Sequence, residues 1–336
     1  MIVARAPGKL VALGEYAVLD GAPAVALAVD RFVEVTLAAS TAGVSRLITR
    51  AGEITERVLV PGQSSDVPLV DLVGTSVGLA RAWNATIDSR ALFAGSTKLG
   101  LGSSAAVVCA WAGAFAAFAR AEGLTTVADP GLGGLIELHR ALQGGKGSGI
   151  DVAACYTGGA ITFRLDAAGV PHVGSVRLPN GVGFAGIFAG RSASTPELVA
   201  HYRAWRRDRP AEAAALVGRL TALAEAGTAA VRGGDAAAWI EVFAAYGRGL
   251  EDLGAAIGAE IVTAEHRRIG DEAKRMGVAY KVSGAGGGDL GLACAADPQT
   301  LAAFSQRMTD RGFRVINVSL AEHGLKVQNV AMGESA

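Results

Sequence analysis

KLGLGSSAAVV, residues 98–108, sets two glycines and two serines directly ahead of an apolar run that continues to Ala119. Glycines let a backbone come close to an anion, and a helix opening at Ser103 aims its free amides and positive dipole end the same way. The hydroxyls of Ser103 and Ser104 add hydrogen bonds or reach a magnesium ion. A plain strand-to-helix turn requires neither the second serine nor the small residues around it, so the stretch reads as an anion site. Gly100–Ala105 also satisfies a relaxed dinucleotide pattern, GxGxxA. That fingerprint belongs to a β-α-β unit, whereas about a hundred residues with antiparallel-looking strands precede this one.

Three other stretches carry chemistry. In APGKLVALGEYAVLDG, residues 6–21, Pro7 and Gly8 bring Lys9 to the mouth of a strand, with Glu15 and Tyr16 following. Viewed alone, Lys9 reads as a solvated strand-end lysine. QGGKGSGIDVAA, residues 143–154, ends a glycine segment on Asp151, which alone reads as a helix N-cap. KVSGAGGGDLGLA, residues 281–293, sets four glycines between Ser283 and Asp289. A simple hairpin needs only one or two. The excess marks a backbone cradle.

The remaining pattern frames these loops. Residues 1–40 read as valine-rich strands: VALGEYAVL, PAVALAV and FVEVTLA. Helices are predicted over Leu69–Trp83, Ser103–Arg120 and Leu132–Leu142, with AITFRL and VGFAGIFAG as strands and helical segments across Pro196–Met276. The end reads VAYKV and LGLAC as strands, a helix over Pro298–Asp310, then FRVINVSL and GLKVQNV. Such segregation predicts α+β and not a doubly wound parallel sheet.

The 336 residues exceed one typical core, so two domains are expected. With 51% apolar and 18% charged residues, disorder is excluded. Lys plus Arg equals Asp plus Glu at 31 each, so no overall charge recruits nucleic acid or a membrane. The apolar run Ala105–Ala119 falls short of the ~20 residues that span a bilayer, and MIVARAPGKL lacks a signal-peptide core. The expectation is cytoplasmic. Cys109, Cys155 and Cys294 are scattered and read as buried structural thiols. No GxxxxGK[ST], HExxH or GxSxG occurs, and the five histidines show no ligand spacing.

Taken in order, APGKLVALGEYAV, KLGLGSSAA, GSGID and SGAGGGD resemble the three motifs and the catalytic aspartate of the galactokinase–homoserine kinase–mevalonate kinase superfamily. The resemblance runs from about residue 4 to residue 293. It implies an ATP-binding α+β domain over residues 1–181 and a ferredoxin-like α+β domain over 182–336, with the active site in the cleft. Gly100, Leu101, Gly102, Ser103, Ser104 and Ala105 would then hold ATP, and Ser104 would also ligate Mg2+. Lys9 and Asp151 would be catalytic. Substrate contacts would come from Tyr16, Lys98, Lys146, Ser148, Arg191, Ser192, Thr195, Ser283, Gly284 and Ala285. Mevalonate kinases carry a magnesium-binding glutamate shortly before the aspartate loop; Arg140 stands there in this chain, with Glu137 off register.

Lys98 ahead of the loop, QGGKGSGIDVAA, Asp289 and GRSASTPELV (190–199) are similar to the phosphomevalonate kinase branch. The implied reaction is phosphorylation of phosphomevalonate by ATP in the mevalonate route to isoprenoid precursors, by a monomer or homodimer. Two other readings share these loops. One is a kinase for an alcohol such as mevalonate. The other is a silent nucleotide-binding homologue, expected to lack Lys9 or Asp151, both of which are present.

Overall fold

Apolar side chains on both faces of the opening stretch bury most of strand β1, Ile2–Leu13. The strand expected to run on through GEYAVL stops there: Gly14 turns to φ +99 and Ala17–Asp20 closes as a 3-10 turn. PAVALAV and FVEVTLA form one long strand, β2 (Ala24–Ala39), in which Asp30 simply faces solvent. The structure is a computed structural model and describes residues 1–60, 63–77, 81–123, 129–145, 147–190 and 195–330.

β3 (Ser45–Arg50) and β4 (Ile54–Leu59) follow. Helix α1 covers Pro68–Val77, shorter than expected, and Trp83 opens β5, Trp83–Asp88. The short pair β6 (Phe93–Ala94) and β7 (Thr97–Lys98) leads into α2 (Ser103–Ala121), α3 (Gly131–Leu142) and α4 (Ile150–Thr157). Then come β8 (Ala160–Leu165), β9 (Pro171–Val176) and β10 (Gly183–Phe188). Four helices succeed them: α5 (Thr195–Asp208), α6 (Pro210–Gly233), α7 (Ala236–Ile257) and α8 (Ala264–Arg275). The chain finishes with β11 (Ala279–Val282), β12 (Leu290–Ala295), α9 (Pro298–Asp310), β13 (Arg314–Asn317) and β14 (Lys326–Asn329).

The chain forms two units. The first comprises Met1–Lys9, Ala28–Gly158 and the described residues from Ala321 onward. Its strands lie in the order β14-β1-β2-β5-β3-β4. Ile2–Arg5 run antiparallel to Lys326–Asn329 and Glu34–Ala39 antiparallel to β5, while β3 runs parallel to β5. α2 packs against α1, α3, α4 and β14. Its alanines and Gly113 permit that close approach: a Cβ at Gly113 would stand 3.1 Å from Leu325 and Val327. Trp83, Trp111 and Phe115 stack edge to face and tilted within 6 Å of one another. Burying such rings contributes about 2–3 kcal/mol each. α2 is apolar and long enough to cross a bilayer, yet 72% of its apolar window is buried inside the protein.

The second unit comprises Leu10–Leu27 and Gly159–Leu320. β8 pairs with Ala24–Leu27 and with β9. A second sheet, β11-β12-β10-β13, is antiparallel throughout. With helices between β10 and β11 and α9 between β12 and β13, this is the ferredoxin-like β-α-β-β-α-β arrangement. Ile187, Ile269, Phe304 and Met308 fill its core. α6, the other helix of bilayer-crossing length and hydropathy among the described residues, packs along α7. All three cysteines are free and buried, and burial pushes the Cys109 and Cys294 thiols up to about 12. They are inert core residues.

Candidate active site

Lys9 sits in β1 beneath the 98–105 loop. Its amide donates to Leu101 O at 2.8 Å, which fastens the loop to the strand. Two glycines make the approach possible. A Cβ at Gly8 would stand 2.7 Å from Leu101 O, and one at Gly102 would stand 2.7 Å from Lys9 Cε and Cγ. Gly102 also needs its left-handed φ of +72. The lysine stem therefore lies against bare backbone. Its side chain is only 8% exposed, and its Nζ stands 3.4 Å from Asp151 Oδ1.

The starts of α2 and α4 both lack a capping side chain on the N-cap residue, which is Gly102 for α2 and Gly149 for α4. Free amides at α2 and the exposed Ser104 hydroxyl make an anion-receptive end. Asp151 lies in the first turn of α4, two residues beyond the N-cap, so its carboxylate is directed to Lys9 and not to capping. The Ser148 hydroxyl accepts from the Ile150 amide at 3.3 Å. Lys98, exposed at the end of β7, is near enough for its charge to act on His139, as Lys9 and Asp151 also do. Burial holds the His139 imidazole below its usual range; Asp151 opposes that, and the two lysines reinforce it. Lys9, Lys98, Ser104, His139 and Asp151 thus share one neighbourhood of the first unit.

The second unit builds the third glycine loop on a buried ion pair. Lys281 donates to the Glu15 carboxylate, to Val282 O at 2.7 Å and to Val11 O at 3.5 Å, with the Phe243 ring 5.3 Å away. Glu15 Oε1 also accepts from Gly284 N at 3.4 Å, and Glu15 O from the Tyr246 hydroxyl at 2.8 Å. Burial pushes the Glu15 carboxyl up and the Lys281 ammonium down, and each partner's charge opposes the other's shift. The Ser283 hydroxyl accepts from Val11 N and donates to Val11 O, both at 3.0 Å. Tyr16, at a strained φ of +62, donates to Ala285 O at 2.6 Å. Tyr202 and Arg206 of α5 both engage Asp20.

Tyr16, Ser283, Gly284 and Ala285 are thereby brought together, while Thr195 is an exposed residue at the start of α5. Lys146, Arg191 and Ser192 lie outside the described residues. His139, Arg140 and Gln143 acquire site contacts that their spacing does not announce. Lys281 does carry a signal: a lysine inside VAYKV, an otherwise apolar strand, demands a buried partner.

The oxygen donors suit a magnesium ion held mainly by nucleotide phosphates and water, with one exposed serine hydroxyl from the protein. Among the described residues no group of three or more His, Cys, Asp or Glu forms a dedicated metal cage.

No family model matches the chain. It shares 33% identity with phosphomevalonate kinase of Streptomyces sp. (strain CL190), over 87% of this chain and 89% of that protein. A Listeria innocua protein, Lin0012, superposes with a TM-score of 0.82 at 21% identity, covering 98% of this chain and 99% of its own. Streptococcus pneumoniae phosphomevalonate kinase in complex with phosphomevalonate and AMPPNP superposes with a TM-score of 0.75 at 20% identity, covering 96% and 100%. These two structural likenesses fix the fold alone.

Separating the buried pair has a defined cost. Glu15→Gln and Lys281→Met should each destabilise the protein by about 3–5 kcal/mol in urea unfolding, with the double variant losing less than the sum. Strictly additive losses would show that the two side chains are not coupled.

Proposed function

This chain belongs to the phosphomevalonate kinase family of the galactokinase–homoserine kinase–mevalonate kinase superfamily, and from that membership we infer the reaction its site performs. It transfers the γ-phosphoryl group of ATP to phosphomevalonate, giving ADP and 5-diphosphomevalonate, as a cytoplasmic enzyme of the mevalonate route. The observation that carries the mechanism is Lys9, shielded under the anion loop with its Nζ 3.4 Å from Asp151.

The open N-terminus of α2 and the Gly100–Ala105 backbone receive the ATP phosphates. Ser104 would be the protein ligand of a magnesium ion carried on those phosphates, and that ion would supply neutralisation of charge on the transferred group. The acceptor is a phosphate monoester whose second pKa is ~6, so its attacking oxygen is already largely deprotonated at neutral pH. Proton abstraction is therefore not the difficulty. Bringing two anions together is: unit charges ~4 Å apart repel by about 4 kcal/mol at an effective dielectric near 20.

Lys9 offsets that repulsion by lying between the attacking oxygen and the transferred phosphoryl. The acceptor oxygen forms the new P–O bond as the bond to the ADP oxygen breaks, and Lys9 stabilises the charge on the equatorial oxygens. Asp151 aims the ammonium. Lys98, exposed and close to the same cluster, takes the phosphate already present on the substrate. Ser148 lies on the loop leading to Asp151 and adds a polar contact there.

ADP release measured with ATP, Mg2+ and each acceptor tests this. Phosphomevalonate should be turned over and mevalonate should not; turnover of mevalonate alone would overturn the acceptor assignment. Lys98→Ala should raise the KM for phosphomevalonate at least ~10-fold while leaving the KM for ATP within about twofold, a charge-assisted contact being worth roughly 1.5–3 kcal/mol. Equal increases in both would remove Lys98 from the acceptor site.

A further inference from the structure

The last turn of α3 touches both loops on which the kinase reading relies, yet that reading gives none of its residues a task. His139 is buried, with Nε2 3.2 Å from Ser104 Oγ and 3.1 Å from Gln143 Nε2. Arg140 turns the other way. Its Nε donates to Gly147 O and its Nη2 to Ser148 O, both at 3.1 Å, while Nη1 pairs with Glu137 at 2.7 Å. Neighbouring residues on a helix point about 100° apart. One turn can thus hold two separate loops, the start of α2 through His139 and the approach to α4 through Arg140.

We propose that this turn is a positioning clasp for phosphoryl transfer, with His139 fixing the Ser104 hydroxyl and Arg140 fixing the Gly147–Ser148 turn that leads into Asp151. The proposal deepens the kinase reading and rests on it. An exposed serine hydroxyl rotates freely, and its oxygen can serve a ligand only after one rotamer is selected. The bond to a buried ring makes that selection before nucleotide arrives, which lowers the ordering cost of binding.

The Arg140 half answers a different problem. Gly144, Gly145, Gly147 and Gly149 all have left-handed φ values, so the segment before Asp151 lacks the restraint that side chains impose. Two carbonyls gripped by one planar guanidinium restrict it, and a lysine in the same place could not hold both in that geometry. Arg140, which stands where the resemblance to mevalonate kinases leads one to expect a magnesium-binding glutamate, is accordingly engaged with backbone, and Ser104 is supported from the preceding residue.

Calorimetric titration with ADP, in the presence and absence of Mg2+, separates the roles. His139→Ala should leave metal-free ADP affinity within about twofold and weaken Mg2+-ADP by about five- to tenfold, the effect of losing one hydrogen bond; His139→Gln should restore most of it. Equal weakening with and without metal, or none with metal, overturns the His139 half. Arg140→Met should keep both ADP affinities and lower kcat about tenfold, and Arg140→Lys should recover only part of that rate. Unchanged kcat, or lost ADP affinity, overturns the Arg140 half. Failure of the parent protein to bind ADP sinks the kinase reading and this proposal together. Normal ADP binding without turnover of phosphomevalonate sinks the acceptor assignment and, with it, the Arg140 half; the His139 half is still decided, because it is read on ADP.

Discussion

In the proposed mechanism a single ammonium group, that of Lys9, has to be kept dry and aimed where phosphate groups would meet, and its surroundings in the first unit suit that demand. The stem lies under a loop that can approach it only because Gly8 and Gly102 lack side chains. Asp151 supplies the carboxylate that orients it. A buried ammonium needs an ionic partner, and the Asp151 carboxylate 3.4 Å from its Nζ provides one. The same carboxylate is spared from capping because the N-cap position of α4 is taken by Gly149, two residues before it. Charge placement and backbone freedom are thus one requirement at this point in the chain.

The third glycine loop is secured by other means. Its backbone takes left-handed φ at Gly284, Gly286, Gly287 and Gly288, and such a run has little tendency to hold one shape. The Glu15–Lys281 pair, the Ser283 hydroxyl and Gly287 N donating to Ile261 O at 2.8 Å supply the restraint. Gly286 is confined further, since a Cβ there would meet Ile261 O at 2.4 Å. A buried ion pair is seldom the most stabilising choice for a core. What it adds here is a unique position for a loop that has few side chains of its own.

Much of this was legible in the residues, and the exceptions have physical causes. Long periodic or uniformly apolar segments gave themselves away: α2 starts at Ser103 as its serine pair and apolar run indicate, and the glycine loops stand where their composition puts them. β3 and β4 were not legible because SRLITR and ITERVL are largely polar, and β4 is exposed at nearly every position. Trp83 looked like the end of a helix, but its ring packs on Trp111 and Phe115 from a strand. Tertiary packing decided that assignment. At the site, motif residues could be read singly, whereas His139 and Arg140 could not, since neither lies in a glycine loop and only the packing of α3 brings them to Ser104 and Ser148.

The central claim is that Lys9 acts on the transferred phosphoryl group and does not merely support the fold or hold nucleotide. Lys9→Met keeps the stem and removes the charge, so steady-state turnover on phosphomevalonate, together with ATP affinity by titration, isolates the ammonium. The account predicts a fall in kcat of about 10²–10³-fold, as for loss of one preorganised transition-state donor, with ATP affinity changed only a few-fold. A variant that retains kcat, or that loses ATP binding in proportion to kcat, would contradict it.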